Sequence, residues 1–315
     1  MSALASAWRA WERFLFASND AATLAVLRIV FGAYLFFYYV DLLPFLQLNH
    51  FPPALLTPQS LQELPAWVLF KYVRHGTFER TAVYALTLLS ALALAAGLQT
   101  RVAALMCWLL NQAWMSMPAG RNSGDNAVSV ACFLFLVVAF SGHAARVYSC
   151  DAALRRARVD ARIPSWPLRL FQVQLALIYF FSGFHKLAAP DWYTGEALFY
   201  VAQQRGWARG DWTGLTHPLL VGGLSYGTLF FELLIFPVLV WNRALRPYIL
   251  GAGLLFHVGI AASMRVFVFG EIMPLLYLAF LSTRPWVVQL GRLPLLRRLR
   301  RTRPSAAAIP AAAAE

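Results

Sequence analysis

Windows of roughly 20 apolar residues recur along this chain from near residue 21 to near residue 283, and that recurrence constrains the fold more than any other feature. A helix needs about that length to cross a hydrocarbon core, where backbone N–H and C=O groups find no water and must bond within the segment. The chain is therefore read as all-α: a polytopic helical membrane bundle of about eight transmembrane helices, with short amphipathic interfacial helices. The windows lie near 21–43, 80–98, 101–118, 126–146, 167–187, 218–241, 246–264 and 266–283. Charged residues make up 13% of the chain and apolar ones 60%, where soluble domains carry about 25% charge.

Three parts follow from this pattern: an N-terminal interfacial segment over 1–20, the transmembrane domain over 21–285, and a basic tail over 286–315 with a disordered end. The first apolar run follows WRAWERFLF, carries Arg28 and is too long for a signal-peptide core, so it is expected to stay as an anchor. Trp8 to Phe16 mixes aromatic and charged residues at helical spacing, which suits a helix lying in the interface. Cys107, Cys132 and Cys150 have neither disulfide nor zinc spacing; no metal is expected, and the cysteines read as small apolar fillers.

The charge of +13 is unevenly placed, with arginine runs in RRARVDAR (155–162) and RRLRRTR (297–303). With both termini cytoplasmic, inside segments hold about 17 Lys/Arg and outside ones about 7, the asymmetry expected when positive loops stay inside. The basic runs thus read as topological determinants. The expected partner is the lipid bilayer, with no nucleic acid.

In this orientation the fifth crossing ends at the outer face with His185 and Lys186. Gln172, Tyr179, Ser182 and Lys186 follow steps of seven, three and four, one stripe of a helix that should face protein. A lysine at bilayer depth costs roughly 2.5–3.5 kcal/mol, less where its stem snorkels to the interface. Arg121, Asn122 and Asp125 opening the fourth crossing, His257 in the seventh and Glu271 in the eighth should approach the same level, forming a candidate pocket. A lysine stripped of water can serve as a neutral base near physiological pH, while a carboxylate beside it works against that. Lys186, His185, Asp125 and His257 are the candidate catalytic residues. Arg121, Asn122, Tyr179, Trp192 and Glu271 are the candidate ligand contacts. Arg28 and Glu232 lie deeper, in the first and sixth crossings, and a structural bridge between them would relieve both charges. The connections 187–217, with Trp192, Tyr193, Tyr200, Trp207 and Trp212, and 44–78, with FPP and WVLFKYVRHG, read as interfacial anchors or partial covers.

QLALIYFFSGFHKLAAPDWYTGEAL, with the preceding RRARVDARIPSW and the later FELLIFPVLV and LLFHVGI, resembles the HTTM family of membrane proteins related to vitamin K-dependent gamma-carboxylase. The resemblance spans roughly residues 15 to 285. Its best motif, Tyr-Phe-x-x-Gly-x-x-Lys-Leu-x-x-x-Asp-Trp, is realised by Tyr179, Phe180, Gly183, Lys186, Leu187, Asp191 and Trp192. The resemblance implies that Lys186 is a base that deprotonates a quinol-like ligand, vitamin K hydroquinone in the carboxylase, so that a quinone or hydroquinone is the implied cofactor. The carboxylase also uses a histidine opening the preceding crossing; here that stretch is RNSGDNAVSV and offers Asp125 or Gly124. That departure, and a chain ending soon after its bundle, argue against peptide glutamate as substrate. Relatives resembling the sporulation-delaying protein B type imply a peptide substrate or a maturation role instead. The rivals to an enzyme are a transporter or peptide-export partner with Arg28 and Glu232 as a polar relay, and a membrane scaffold.

Overall fold

The computed structural model describes residues 3–41, 43, 77–115, 123–155, 161–204, 206 and 208–282. The second cover, 44–78, lies almost wholly outside these residues, as do Arg121, Asn122, Trp207 and the tail 286–315. The described chain is mostly helical. It runs α1 (Ala3–Phe16), β1 (Ser18–Asp20), α2 (Ala21–Val40), α3 (Thr77–Ala96), α4 (Thr100–Met115), α5 (Ser123–Phe140), β2 (Arg162–Pro164), α6 (Trp166–Leu187), α7 (Pro218–Phe230), α8 (Arg246–Ser263) and α9 (Phe267–Leu276). Short helices stand at Cys150–Leu154, Pro190–Tyr193 and Ala197–Gln203; α7 continues through a π-helical turn, Phe231–Ile235, into Phe236–Leu239.

Each apolar window of the sequence contains a helix, but the eight are not alike. Ala21–Val40, Ser123–Phe140 and Pro218–Leu239 are long and apolar enough to cross a membrane, while Thr81–Ala96 and Val268–Phe280 are apolar but shorter. The others are diluted by polar residues: Asn111 and Gln112 in α4, Arg169, Gln172, Gln174 and the His185–Lys186 pair in α6. Three spans rest on length and composition; eight is a finer reading than these criteria carry.

Close helix approach and aromatic packing hold the bundle. Gly32 on α2 faces Ala95 on α3 so closely that a Cβ there would lie 2.5 Å from the Ala95 nitrogen, the small-residue contact that lets helices pack by dispersion where lipid offers no hydrophobic drive. Phe31 stacks on Phe135 at 4.8 Å, and Phe135 meets Phe171 at 4.7 Å, tying α2, α5 and α6. Cys107 and Cys132 are buried in the same core and Cys150 is exposed, all three free.

Two small features set which ends share a face. β1 pairs antiparallel with β2, Asn19 opposite Ile163, so α2 and α6 begin on the same side. Asp20 closes β1 and caps α2, its Oδ1 accepting from the Ala22 N–H at 2.9 Å. At the opposite side, the Tyr38 hydroxyl near the end of α2 donates to Asp125 Oδ1 at the start of α5, 2.9 Å away. These contacts place the starts of α2 and α6 together and the start of α5 beside the end of α2.

Candidate functional site

The stripe on α6 faces protein. Gln172 and Tyr179 are buried, and the Gln172 amide donates to the Ala279 carbonyl at 2.7 Å. Two turns beyond Tyr179 the Lys186 ammonium turns inward. It donates to Glu232 Oε2 at 2.6 Å, to Oε1 at 2.8 Å and to Ser182 Oγ at 2.8 Å, and lies 5.3 Å from the centre of the Trp192 ring. The pair is asymmetric: the Glu232 side chain is 2% exposed, that of Lys186 24%.

Three local features bring this pair together. Gly183, one turn before Leu187, admits the π-helical turn: a Cβ there would sit 2.8 Å from Leu233 Cγ and 3.0 Å from Glu232 Cβ. The π turn carries Glu232 and runs up to Pro237, which has no N–H for the helical ladder; wide turns of this kind relieve such a break. Pro190 opens the short helix that lays Trp192 over the ammonium, the geometry of a cation–π contact.

Below the ion pair lies a second buried cluster. The Tyr179 hydroxyl shares a 2.6 Å hydrogen bond with His257 Nε2 and another, shorter one with the Tyr277 hydroxyl. His257 is fully buried, and its Nδ1 has no partner among the described residues. Phe236 packs on the Tyr179 ring at 4.0 Å and Phe269 on the imidazole at 5.2 Å, so apolar rings wall the cluster. Three helices thus share one proton-bearing contact, with the histidine able to give or take according to its tautomer.

The remaining candidates stand apart. Asp125 is buried and bonded to Tyr38, and does not meet Lys186, whose partners are Ser182, Glu232 and Trp192. His185 is exposed with its ring against Phe184, because its neighbour on the helix points about 100° away. Glu271 is exposed. Arg121 and Asn122 lie outside the described residues. The connection after α6 and Arg265 border a half-open cavity of about 460 Å³, lined also by Ala202, Asp211, Trp212 and Thr213 and not by Lys186.

The expected bridge between Arg28 and Glu232 does not form. Glu232 is taken by Lys186, and Arg28 sits at the α3–α4 turn, where Nη2 donates to the Tyr148 carbonyl at 2.5 Å. Its Nε and Nη1 are buried without a partner among the described residues, and Gly97, at φ +65°, lies close against the guanidinium. Asp151 closes this corner, accepting from the N–H groups of Gln99 and Thr100 and from the Thr100 hydroxyl at 2.7–2.9 Å. Burial alone would raise the Asp151 carboxyl, but the bonds from Thr100 and Gln99 and the charge of Arg155 outweigh it and hold it below the ordinary range.

Sequence reasoning missed the partnership of Glu232 with Lys186 and the part played by Tyr277. The first had a usable signal: a carboxylate and an ammonium in successive apolar windows seek each other before more distant charges. Tyr277 had none, being one aromatic in an apolar run.

The family model described as HTTM domain matches residues 16–286. An uncharacterized protein of Bacillus subtilis (strain 168), YitO, is 23% identical over 194 residues, 59% of this chain and 62% of that relative's length. No solved structure matches.

Proposed function

Because the chain belongs to the HTTM domain family, we propose that it is a multi-pass membrane enzyme whose Lys186–Glu232 pair exchanges a proton with a lipid-soluble, quinol-like ligand. The observation that carries this reading is the inward-turned ammonium held by two carboxylate oxygens beside an aromatic face. The residues suit such a ligand: Trp192 offers an aromatic surface, and the pair offers a proton acceptor over its face. A quinol-like ligand supplies an acidic hydroxyl. Lys186 acts as base after its proton passes to Glu232, which leaves a neutral amine beside a carboxylic acid; the amine then takes the hydroxyl proton. The pair has gained one positive charge and the ligand one negative, so the products attract in a low-dielectric site. The protein lies in the cell membrane with both termini cytoplasmic and all eight helices crossing, a reading supported by the Lys/Arg asymmetry. Carboxylation of peptide glutamate is not part of this proposal.

The test uses purified protein: mass spectrometry of lipid-soluble molecules retained through purification, then hydroquinone-dependent turnover of wild type, Lys186→Ala and Glu232→Gln. Retention of a quinone-class molecule and loss of turnover in both variants, with insertion intact, are expected. Unchanged turnover in Lys186→Ala overturns the base assignment.

A second reading, a transporter or peptide-export and maturation partner, is favoured by one observation: Glu232 sits in a π-helical break inside an apolar helix, as ion-carrying residues of transporters do. Vesicle flux that depends on Glu232 without turnover would select it, and stable copurification without either would select a scaffold.

A further inference from the structure

At the end of the bundle where α2 and α6 begin, three arginines converge, and no carboxylate among the described residues pairs with them. Arg243 and Arg246 lie close enough to Arg169 for their charges to repel, and among the described residues none of the three forms a salt bridge. Such a cluster is unfavourable by itself. It is nonetheless built in place. Arg169 Nε donates to the Phe14 carbonyl at 3.2 Å and Nη1 to Gln172 Oε1 at 2.7 Å, with the guanidinium stacked 4.3 Å over the Phe14 ring. Arg246 Nε donates to the Val240 carbonyl at 3.0 Å, and its guanidinium lies 5.7 Å from the Phe280 ring. A solvated topological arginine needs none of these anchors. They hold two half-buried forks with Nη2 of Arg169 and Nη1 of Arg246 unused and not enclosed among the described residues.

The neighbouring surface says what an anion there would be attached to. Phe14 belongs to α1, whose Leu4, Trp8 and Trp11 recur at helical spacing and are 83%, 63% and 55% exposed. An apolar stripe of that kind beside a cationic corner matches a headgroup with its acyl chains, and does not match a free ion.

We propose that the Arg169–Arg243–Arg246 corner binds the phosphodiester headgroup of an anionic phospholipid, whose acyl chains lie along the exposed stripe of α1. Guanidinium forks fit phosphate oxygens in pairs, and three uncompensated positive charges repel the headgroup cation of a zwitterionic lipid, which gives preference to the anionic one. The site is separate from Lys186 and does not depend on the reading of that pair.

Native mass spectrometry of the purified full chain, titrated with short-chain phosphatidylglycerol or phosphatidylcholine, tests it. Phosphatidylglycerol should bind in preference, and excess inorganic phosphate should not displace it. Arg169→Gln with Arg246→Gln should weaken binding roughly thirtyfold, and Arg243→Gln, which disturbs no anchor, roughly fivefold. Arg146→Gln with Arg155→Gln removes the same charge elsewhere and should leave binding within about twofold. Equal binding of the two lipids, displacement by phosphate, an equal loss in the control, or full binding by Arg243→Gln overturns the proposal.

Discussion

Replacing Lys186 with methionine should destabilise the bundle more than replacing Glu232 with glutamine, although both near-isosteric changes break the same ion pair. The reason is the difference in exposure, 24% for the lysine side chain against 2% for the glutamate. Without Lys186, the Glu232 carboxylate keeps one donor, the Ser182 hydroxyl at 3.3 Å, and has no route to water. Stranding one member of a buried pair costs about 3–5 kcal/mol. Without the carboxylate, the four-carbon stem of Lys186 needs a rotamer change to lift its ammonium towards the interface, so the loss approaches that of a charged hydrogen bond, about 1.5–3 kcal/mol. The double variant removes both charges and should recover to within about 1 kcal/mol of wild type. Reversible unfolding in bicelles, followed by circular dichroism, reads all three. If Glu232→Gln is as damaging as Lys186→Met, or the double variant is worse than either single one, the asymmetry argument is wrong.

Two further outcomes concern the corner around Arg28. Gly97→Ala puts a methyl group 1.6 Å from Arg28 Nη1 at a backbone φ of +65° and should cost at least about 1–3 kcal/mol, while Gly227→Ala, with nothing within 4 Å, should leave the melting curve in place. Asp151 has a depressed folded-state pKa, so the unfolded chain binds more protons and the stabilisation is present at neutral pH and lost as pH falls through the folded value. Asp151→Asn turns one accepting oxygen into an NH2 that faces a donor. It should therefore remove about 1.5–3 kcal/mol at neutral pH, the value of a hydrogen bond to a charged group, and flatten the acid limb of the melting temperature against pH; an unchanged limb counts against the cap.

The helical class was legible because apolar runs of membrane length cannot be buried in any other way at this frequency, and the inward face of α6 was legible because Gln172, Tyr179 and Lys186 share one helical stripe. Partnerships were not. Whether Glu232 meets Arg28 or Lys186 depends on how closely α6 and the helix after α7 approach, and that distance is set by the missing Cβ of Gly183 and by the extra residue in a π turn. Pro237 is the one mark of that turn in the sequence, and a proline inside an apolar run signals a kink without giving its register. His257 was legible as a polar residue inside an apolar run, but the Tyr179 hydroxyl that bonds it and the Tyr277 hydroxyl that bonds Tyr179 in turn arrive from 78 residues before it and 20 after, beyond any local pattern.

The two deeply buried charges differ in a way that separates architecture from chemistry. Arg28 is committed to a peptide carbonyl and to the turn wrapped around it; moving its proton is not open to it, since a guanidinium does not give one up in a protein. Lys186 and Glu232 set an ammonium 2.6 Å from a carboxylate oxygen, and the lysine side is the one open to the surroundings. Stability alone does not call for such a pair, because apolar side chains of the same volume would serve a lipid-embedded bundle equally well or better. What apolar side chains cannot do is accept a proton over the face of an aromatic ring and keep its charge partnered. That capacity, and not the presence of a lysine at membrane depth, makes this the position at which to look for turnover.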